Sequence, residues 1–335
     1  MTAASYDGDC DPCNVQVSVK SSSTSSSGTD YSFSPSTKTI TVTANGDYTV
    51  QFTLLDDNID EESETFILRM NPDGLSLASG EDGNETYTIA DNDAQPIINV
   101  TNVSMTESED TDYAYISVTR DRPSTRSTQP SFSVSVSGTA TGGGTDYNAL
   151  SPTSYEFSSS SSGLTKTFSI YIQDDALDED AETIIFTIDG SNATNGSNLK
   201  TTLTINDNDD APDIDFSAAS GSASEGNSGT SAKTAQVTLS AASGKDVSAN
   251  YTVGGTSTGG GTDHSAAAGT VSISAGQTTA NISFNLVGET TYENDETIVL
   301  TLASATNASV SGQTTHTYTI TNDDSAPTID FNTAT

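Results

Sequence analysis

The sequence predicts an all-β protein, a row of tandem immunoglobulin-like antiparallel sandwiches, and three observations support that expectation. The same markers return at a nearly constant period along the 335 residues. Between the markers, Val, Ile, Phe and Tyr alternate with polar residues over short stretches, the pattern of strands with one face in a core and one in water. Gly, Ser, Asn and Asp fill the gaps as turn residues, and no stretch has a credible helical period.

The markers set the units. Gly-Thr-Asp followed by Tyr or His occurs at Gly28–Tyr31, Gly144–Tyr147 and Gly261–His264, with aspartates Asp30, Asp146 and Asp263 spaced 116 and 117 residues apart. An Asp/Asn-rich cluster closes each unit, at Asp91-Asn92-Asp93, Asp207-Asn208-Asp209 and Asn322-Asp323-Asp324. A proline and one short strand follow each time: Pro96–Val100, Pro212–Phe216 and Pro327–Phe331. A period near 116 is too long for a solenoid repeat and matches one sandwich domain. The expected boundaries are 1–95, 96–211, 212–326 and a surplus opening strand at 327–335.

Within the second unit the expected strands are Ile97–Val103, Ala114–Thr119, Phe132–Ser137, Ser154–Phe157, Phe168–Gln173, Thr183–Asp189 and Thr201–Ile205. The third repeats them at Gln236–Leu239, Ser248–Val253, Thr270–Ile273, Ala280–Val287, Ile298–Leu302 and His316–Ile320. In the first unit only 29 residues precede Asp30, against 50 between Pro96 and Asp146. That unit is expected to lack its opening strand and part of the next.

Composition narrows the partners. A net charge of −36, from 46 acidic and 10 basic residues, argues against nucleic acid and anionic membranes. No segment is apolar enough to span a bilayer. Cys10 and Cys13 form a C-x-x-C that has no second pair for zinc and no βαβ setting for redox work. A local disulfide suits it, and with it an oxidising, extracellular or cell-surface location.

The acids are clustered. Asp56 to Glu64 places six carboxylates in nine residues between the alternating runs Val50-Phe52-Leu54 and Phe66-Leu68-Met70. Such crowding costs roughly 1 kcal/mol per close pair even in water-like surroundings. A divalent cation held by oxygen ligands removes that cost, and calcium takes about six to eight of them. The cluster recurs at Asp174–Glu182 and, less acidic, at Glu289–Glu296.

The Gly-Thr-Asp-Tyr turn, the Asp-Asp-x-x-x-Glu-x-x-Glu-Thr loop and the closing Asp-Asn-Asp, repeated in order, resemble the Calx-β family across nearly the whole chain. The resemblance implies Ca2+ at one end of each sandwich, near the next domain. It assigns Glu107, Asp146, Asp174, Asp175, Glu179, Glu182, Asp207 and Asp209 to the second unit. In the third it assigns Glu225, Asp263, Glu289, Glu293, Glu296, Asp323 and Asp324. The first keeps Asp30, Asp56, Asp57, Glu61, Glu64, Asp91 and Asp93, with no equivalent of Glu107. Gly288-Glu289 replaces the Asp-Asp pair of the third unit, where fewer or weaker ions are expected.

Catalysis is not expected. The acids lie in turns, in triplicate, and no Trp is present to build a sugar platform. His264 and His316 are the only histidines, too few for a hydrolytic zinc site or a triad, and His316 reads as a strand-surface residue. The surplus strand suggests a role instead. Ile329 and Phe331, two apart, would enter another chain's incomplete sandwich, so the chain is expected to be the subunit of a head-to-tail, calcium-stiffened extracellular filament. The alternative is a spacer in the stalk of a cell-surface adhesin, with any glycan or matrix partner unidentified.

Overall fold

In a computed structural model of the chain, residues 13–331 are described, apart from 22, 27, 44–45, 74–76, 78–79, 103 and 160–162. Every element among them is a strand.

The first unit holds β1 (Cys13–Val19), β2 (Tyr31–Ser32), β3 (Thr37–Val42), β4 (Thr53–Leu54), β5 (Glu64–Asp73) and β6 (Asn84–Ile89). The second holds β7 (Ile97–Val100), β8 (Ser104–Ser108), β9 (Tyr113–Arg120), β10 (Ser131–Gly138), β11 (Ser154–Glu156), β12 (Thr165–Tyr171), β13 (Glu182–Ser191), β14 (Thr194–Asn195) and β15 (Lys200–Asn206). The third repeats these as β16 (Asp213–Phe216), β17 (Ser220–Ser224), β18 (Thr230–Leu239), β19 (Val247–Gly255), β20 (Gly269–Ile273), β21 (Thr279–Val287), β22 (Glu296–Thr306), β23 (Ser309–Val310) and β24 (Thr315–Thr321).

Both later units are two-sheet sandwiches. The second stacks β11-β10-β13-β15-β8 on β12-β9-β7-β14, and the third stacks β20-β19-β22-β24-β17 on β21-β18-β16-β23. Alternation drives the stacking. Ala114, Ile116 and Val118 of β9 point inward and meet Ile184, Phe186 and Ile188 of β13, all at most 2% exposed. Each such buried side chain larger than alanine contributes about 1.5–3 kcal/mol. The strands β8 and β17 escape the sequence pattern because Ser-Met-Thr-Glu-Ser and Ser-Gly-Ser-Ala-Ser show no clear alternation. They run parallel to β15 and β24 as polar edge strands.

The first unit pairs β3-β1-β5-β6 in one sheet, with β2-β4 beside it. By register, β1, β3, β5 and β6 correspond to β10, β11, β13 and β15. Among the described residues, nothing corresponds to β7, β8 or β9. A small core of Val17, Tyr31, Phe33, Phe66 and Leu68 forms nonetheless. Cys13 is buried and disulfide-bonded; Cys10 lies outside the described residues, as do Asn332–Thr335 of the surplus strand.

His316 is not on the surface. It is 4% exposed, packs on Phe216, and sets Nδ1 2.7 Å from the Ala218 carbonyl oxygen. The alternation of β24 turns it inward, and a run of Thr-His-Thr-Tyr conceals the parity because neither flanking residue is strongly apolar.

Gly138 ends β10 at φ 138°, where an added Cβ would lie 2.0 Å from the Thr183 carbonyl oxygen. Gly143, at φ 89°, faces open space. Gly143→Ala should cost about 1–2 kcal/mol. Gly138→Ala should cost more, since a backbone carbonyl must also move. Thermal midpoints of the two variants check this ordering, and equal losses would contradict it.

Candidate metal centres

Each candidate centre starts from the Gly-Thr-Asp turn. Gly28, Gly144 and Gly261 take φ of 95°, 99° and 94°, a region other residues seldom adopt. Their N–H groups donate to the carbonyls of Tyr31, Tyr147 and His264 at 2.8, 2.9 and 2.9 Å. The fourth residue anchors the turn: Tyr31 and His264 are only 6% and 2% exposed, and Tyr147 packs against the second core. Burial lowers the pKa of His264, so the imidazole that replaces tyrosine is held towards its neutral form. The aspartate between is fixed from both sides. Asp30, Asp146 and Asp263 accept from the backbone N–H of Ser26, Thr141 and Thr258.

The glutamate of the Glu-Thr pair is brought opposite. Thr65, Thr183 and Thr297 donate their N–H to the hydroxyls of Thr24, Thr139 and Thr256 at 2.7, 2.8 and 2.9 Å. This repeated threonine clamp locks the first residues of β5, β13 and β22. Glu64, Glu182 and Glu296 therefore face Asp30, Asp146 and Asp263. Burial, followed by the adjoining aspartate, pushes the Glu64 and Glu182 carboxyls up to about 7, and raises Glu296.

In the second unit the carboxylates of Asp146, Glu179 and Glu182 converge, and those of Glu109, Asp175 and Asp209 form a second group, each within 4.8 Å. Asp207 presses its charge on Glu109 and Glu179, and Asp174 accepts from Asn208 Nδ2 at 3.1 Å. In the third unit Glu225 meets Glu289 and Glu293 on one side and Asp323 and Asp324 on the other, while Asp263, Glu293 and Glu296 form a further group. Glu289 thus supplies a carboxylate despite the changed loop. An aspartate could not replace Gly288, because its Cβ would lie 2.4 Å from the Gly226 carbonyl oxygen. In the first unit Asp30, Asp56, Asp57, Glu61, Glu64, Asp91 and Asp93 all line one cleft of about 40 Å³.

One expected equivalence is corrected. The counterpart of Glu225 is Glu109, not Glu107. Glu225 N–H donates to Thr321 O and Glu109 N–H to Asn206 O, at 3.2 and 3.1 Å, and Thr321 and Asn206 hold the same register position. Glu107 stands on β8, and its side chain lies outside the described residues. The polar Glu-Ser-Glu run offered two glutamates, and nothing in it marked where the strand ended.

The donor set fits a hard divalent cation. Glu109 Oε2, Glu225 Oε1, Glu289 Oε1, Asp209 Oδ2 and Asp324 Oδ2 are buried without a hydrogen-bond partner. Burial, then the surrounding aspartates and glutamates, pushes Glu109 and Glu225 up to about 7. Orphaned, crowded carboxylate oxygens are the cost that a bound ion removes, and an all-oxygen shell suits Ca2+ or Mg2+ rather than zinc.

The sequence did not reveal the joints beside these centres. Asp60 is fully buried, pairs along the backbone with Ser124 of the second unit, and meets Arg126 Nε at 2.5 Å. Arg126 also reaches Asp91 at 2.9 Å, and Thr125 Oγ1 donates to Glu61 at 3.0 Å. The next joint repeats the plan: Asp178 pairs with Ser243 and takes Lys245 Nζ at 2.7 Å. The two basic residues belong to irregular loops, and their partners lie 66 and 67 residues away. At the equivalent position of the third unit stands Tyr292, half exposed.

The family model of the Calx-beta domain matches residues 11–93, 91–209 and 207–325. Among solved structures, the chain is 17% identical to CBD12 from CALX1.2, covering 62% of this chain and 80% of that one at a TM-score of 0.30. It is 16% identical to the apo-form Calx CBD1 domain, covering 34% and 100% at a TM-score of 0.31. Likenesses this low bear on neither site nor function. No curated protein matches the chain.

Proposed function

Because the chain belongs to the Calx-beta domain family, we propose that it is a non-enzymatic, calcium-binding structural protein of the cell exterior, assembled head to tail by strand donation. Two sandwiches and the incomplete first unit follow one another in series, and cations at the acidic ends would stiffen the joints between them. Glu182 with Asp146 and Glu179, and Glu109 with Asp175 and Asp209, would hold the ions of the second unit. Bound there, Ca2+ supplies the positive charge that these carboxylates lack. The disulfide at Cys13 supports an oxidising location.

The observation that carries the assembly is a contrast in burial. Ile98 and Val100 of β7, and Ile214 and Phe216 of β16, are at most 2% exposed. Ile329 and Phe331 stand in the same proline-led motif and are 99% and 94% exposed. The first unit offers a matching surface. Tyr48, Val50, Phe52, Leu68 and Tyr87 line a groove of about 570 Å³, and the register equivalents of Leu68 and Tyr87 are Phe186 and Leu203, which β7 and β9 help to cover in the second unit. Burying two such side chains would contribute about 3–5 kcal/mol, with a main-chain ladder besides.

Full-length protein and a version ending at Ser325 would be compared by sedimentation and electron microscopy in millimolar calcium. Filaments from the first and monomers from the second are expected. Monomers from both would favour the stalk-spacer reading, in which Ile329 and Phe331 open a further unit of the same fold.

A further inference from the structure

The outer face of β9 and β12 carries an aromatic group that neither the metal centres nor the joints use. Tyr113 and Tyr115 are 49% and 61% exposed, with ring centroids 6.4 Å apart and planes tilted by 38°. Tyr171 lies opposite Tyr113 in the strand register and meets it edge-on, at 5.1 Å and 77°. The third ring therefore braces the first. Alternation places Ser117 and Thr119 of β9, with Thr167 and Ser169 of β12, on the same face. Ser117 Oγ and Thr167 Oγ1 are 2.8 Å apart.

The fold does not require these rings. In the third unit the register equivalents of Tyr113, Tyr115 and Tyr171 are Ala232, Thr234 and Asn285, on a sheet of the same order. Exposed aromatics on one repeat and not on its twin mark a binding surface rather than a packing need. Tyrosine among Ser and Thr is also the composition of a recognition face, with rigid amphipathic rings and adaptable hydroxyls.

We infer that this face binds a neutral polysaccharide. Charge selects the class. The outward residues from Tyr113 to Thr119 and from Thr167 to Tyr171 carry no charge, so no cation is present to hold a carboxylate, sulfate or phosphate. The chain's net charge of −36 repels anionic polymers at long range. Cationic partners are drawn to the acidic loops instead. A neutral sugar chain offers C–H faces to the rings of Tyr113 and Tyr115 and hydroxyls to Ser117, Thr167 and Ser169.

The test is native electrophoresis of the full chain, in fixed calcium, through gels containing hydroxyethylcellulose, laminarin or carboxymethylcellulose. Retardation by at least one neutral polymer and none by the anionic one is expected. Tyr113→Ala with Tyr115→Ala should weaken retardation about ten-fold in a protein that still melts cooperatively, since both rings are about half exposed. If that double variant does not fold, Tyr115→Ala alone gives the comparison, through a smaller loss. No retardation in either neutral gel, retardation in the carboxymethylcellulose gel alone, or full retardation of the folded variant would overturn the inference.

Discussion

Chelating calcium should lower the melting temperature of the full chain by on the order of 10 °C. A ligand that binds only the folded state adds about 2.7 kcal/mol per site at a hundred-fold excess over its Kd. A domain of about 100 residues shifts by roughly 4–8 °C for each kcal/mol. The sign of the pH dependence follows from the same carboxylates. In the metal-free protein Glu64, Glu109, Glu182 and Glu225 are pushed up to about 7, above their usual value near 4.5. Between those two values the folded chain holds more protons than the unfolded chain, so stability falls as pH rises. The benefit is complete below about 4.5 and gone above about 7. Saturating calcium should flatten or reverse that slope, because the ion binds the deprotonated form. Melting curves with and without chelator at several pH values check both effects. A melt that is indifferent to chelator contradicts them.

Arg126→Ala should destabilise the first joint by on the order of 3 kcal/mol. Asp60 has no exposed surface, Arg126 is its ion-pair partner at 2.5 Å, and Asp60 Oδ2 makes no hydrogen bond. Removing the guanidinium leaves that carboxylate buried and uncompensated. The loss lies at the low end for a buried pair, because Arg126 keeps 32% of its side chain in water. Lys245→Ala should cost less, since Asp178 keeps 8% of its side chain exposed where Asp60 keeps none. Small-angle scattering would show a bent first joint in Arg126→Ala and a smaller change in Lys245→Ala. Neutralising the acid as well, with Asp60→Asn, should recover part of the stability. An unchanged midpoint and scattering profile in Arg126→Ala would contradict the role of this pair.

The sequence exposed the repeat and most of the candidate ligands because each depends on local chemistry. The positive φ of Gly144 requires glycine, Asp146 follows two residues later, and the alternation from Thr183 to Asp189 fixes which face is buried. Features that depend on register across distant strands stayed hidden. Glu109 and Glu107 have the same parity in sequence, and only the pairing of Ser108 with Asn206 shows that Glu109 holds the register position of Glu225. Strand β8 lacks alternation because it is a polar edge. Arg126 and Lys245 sit in ordinary loop sequence, and their partners become visible only when one sandwich is seated on the next. His316 looked exposed because its neighbours are threonines. The tyrosine face was illegible for a related reason. Tyr115 falls within the expected strand Ala114–Thr119 and Tyr113 just ahead of it, while Tyr171 joins them only through the register of β9 with β12.

The most direct measurement is equilibrium dialysis of the full chain against calcium near neutral pH. Binding of at least one ion per unit, at the 0.1–1 mM affinity of extracellular calcium modules, is expected. Asp146→Asn with Glu182→Gln should remove ions from the second unit and leave the other units loaded. No bound calcium up to about 10 mM, well beyond that class, would contradict the assignment of these acidic ends as metal centres.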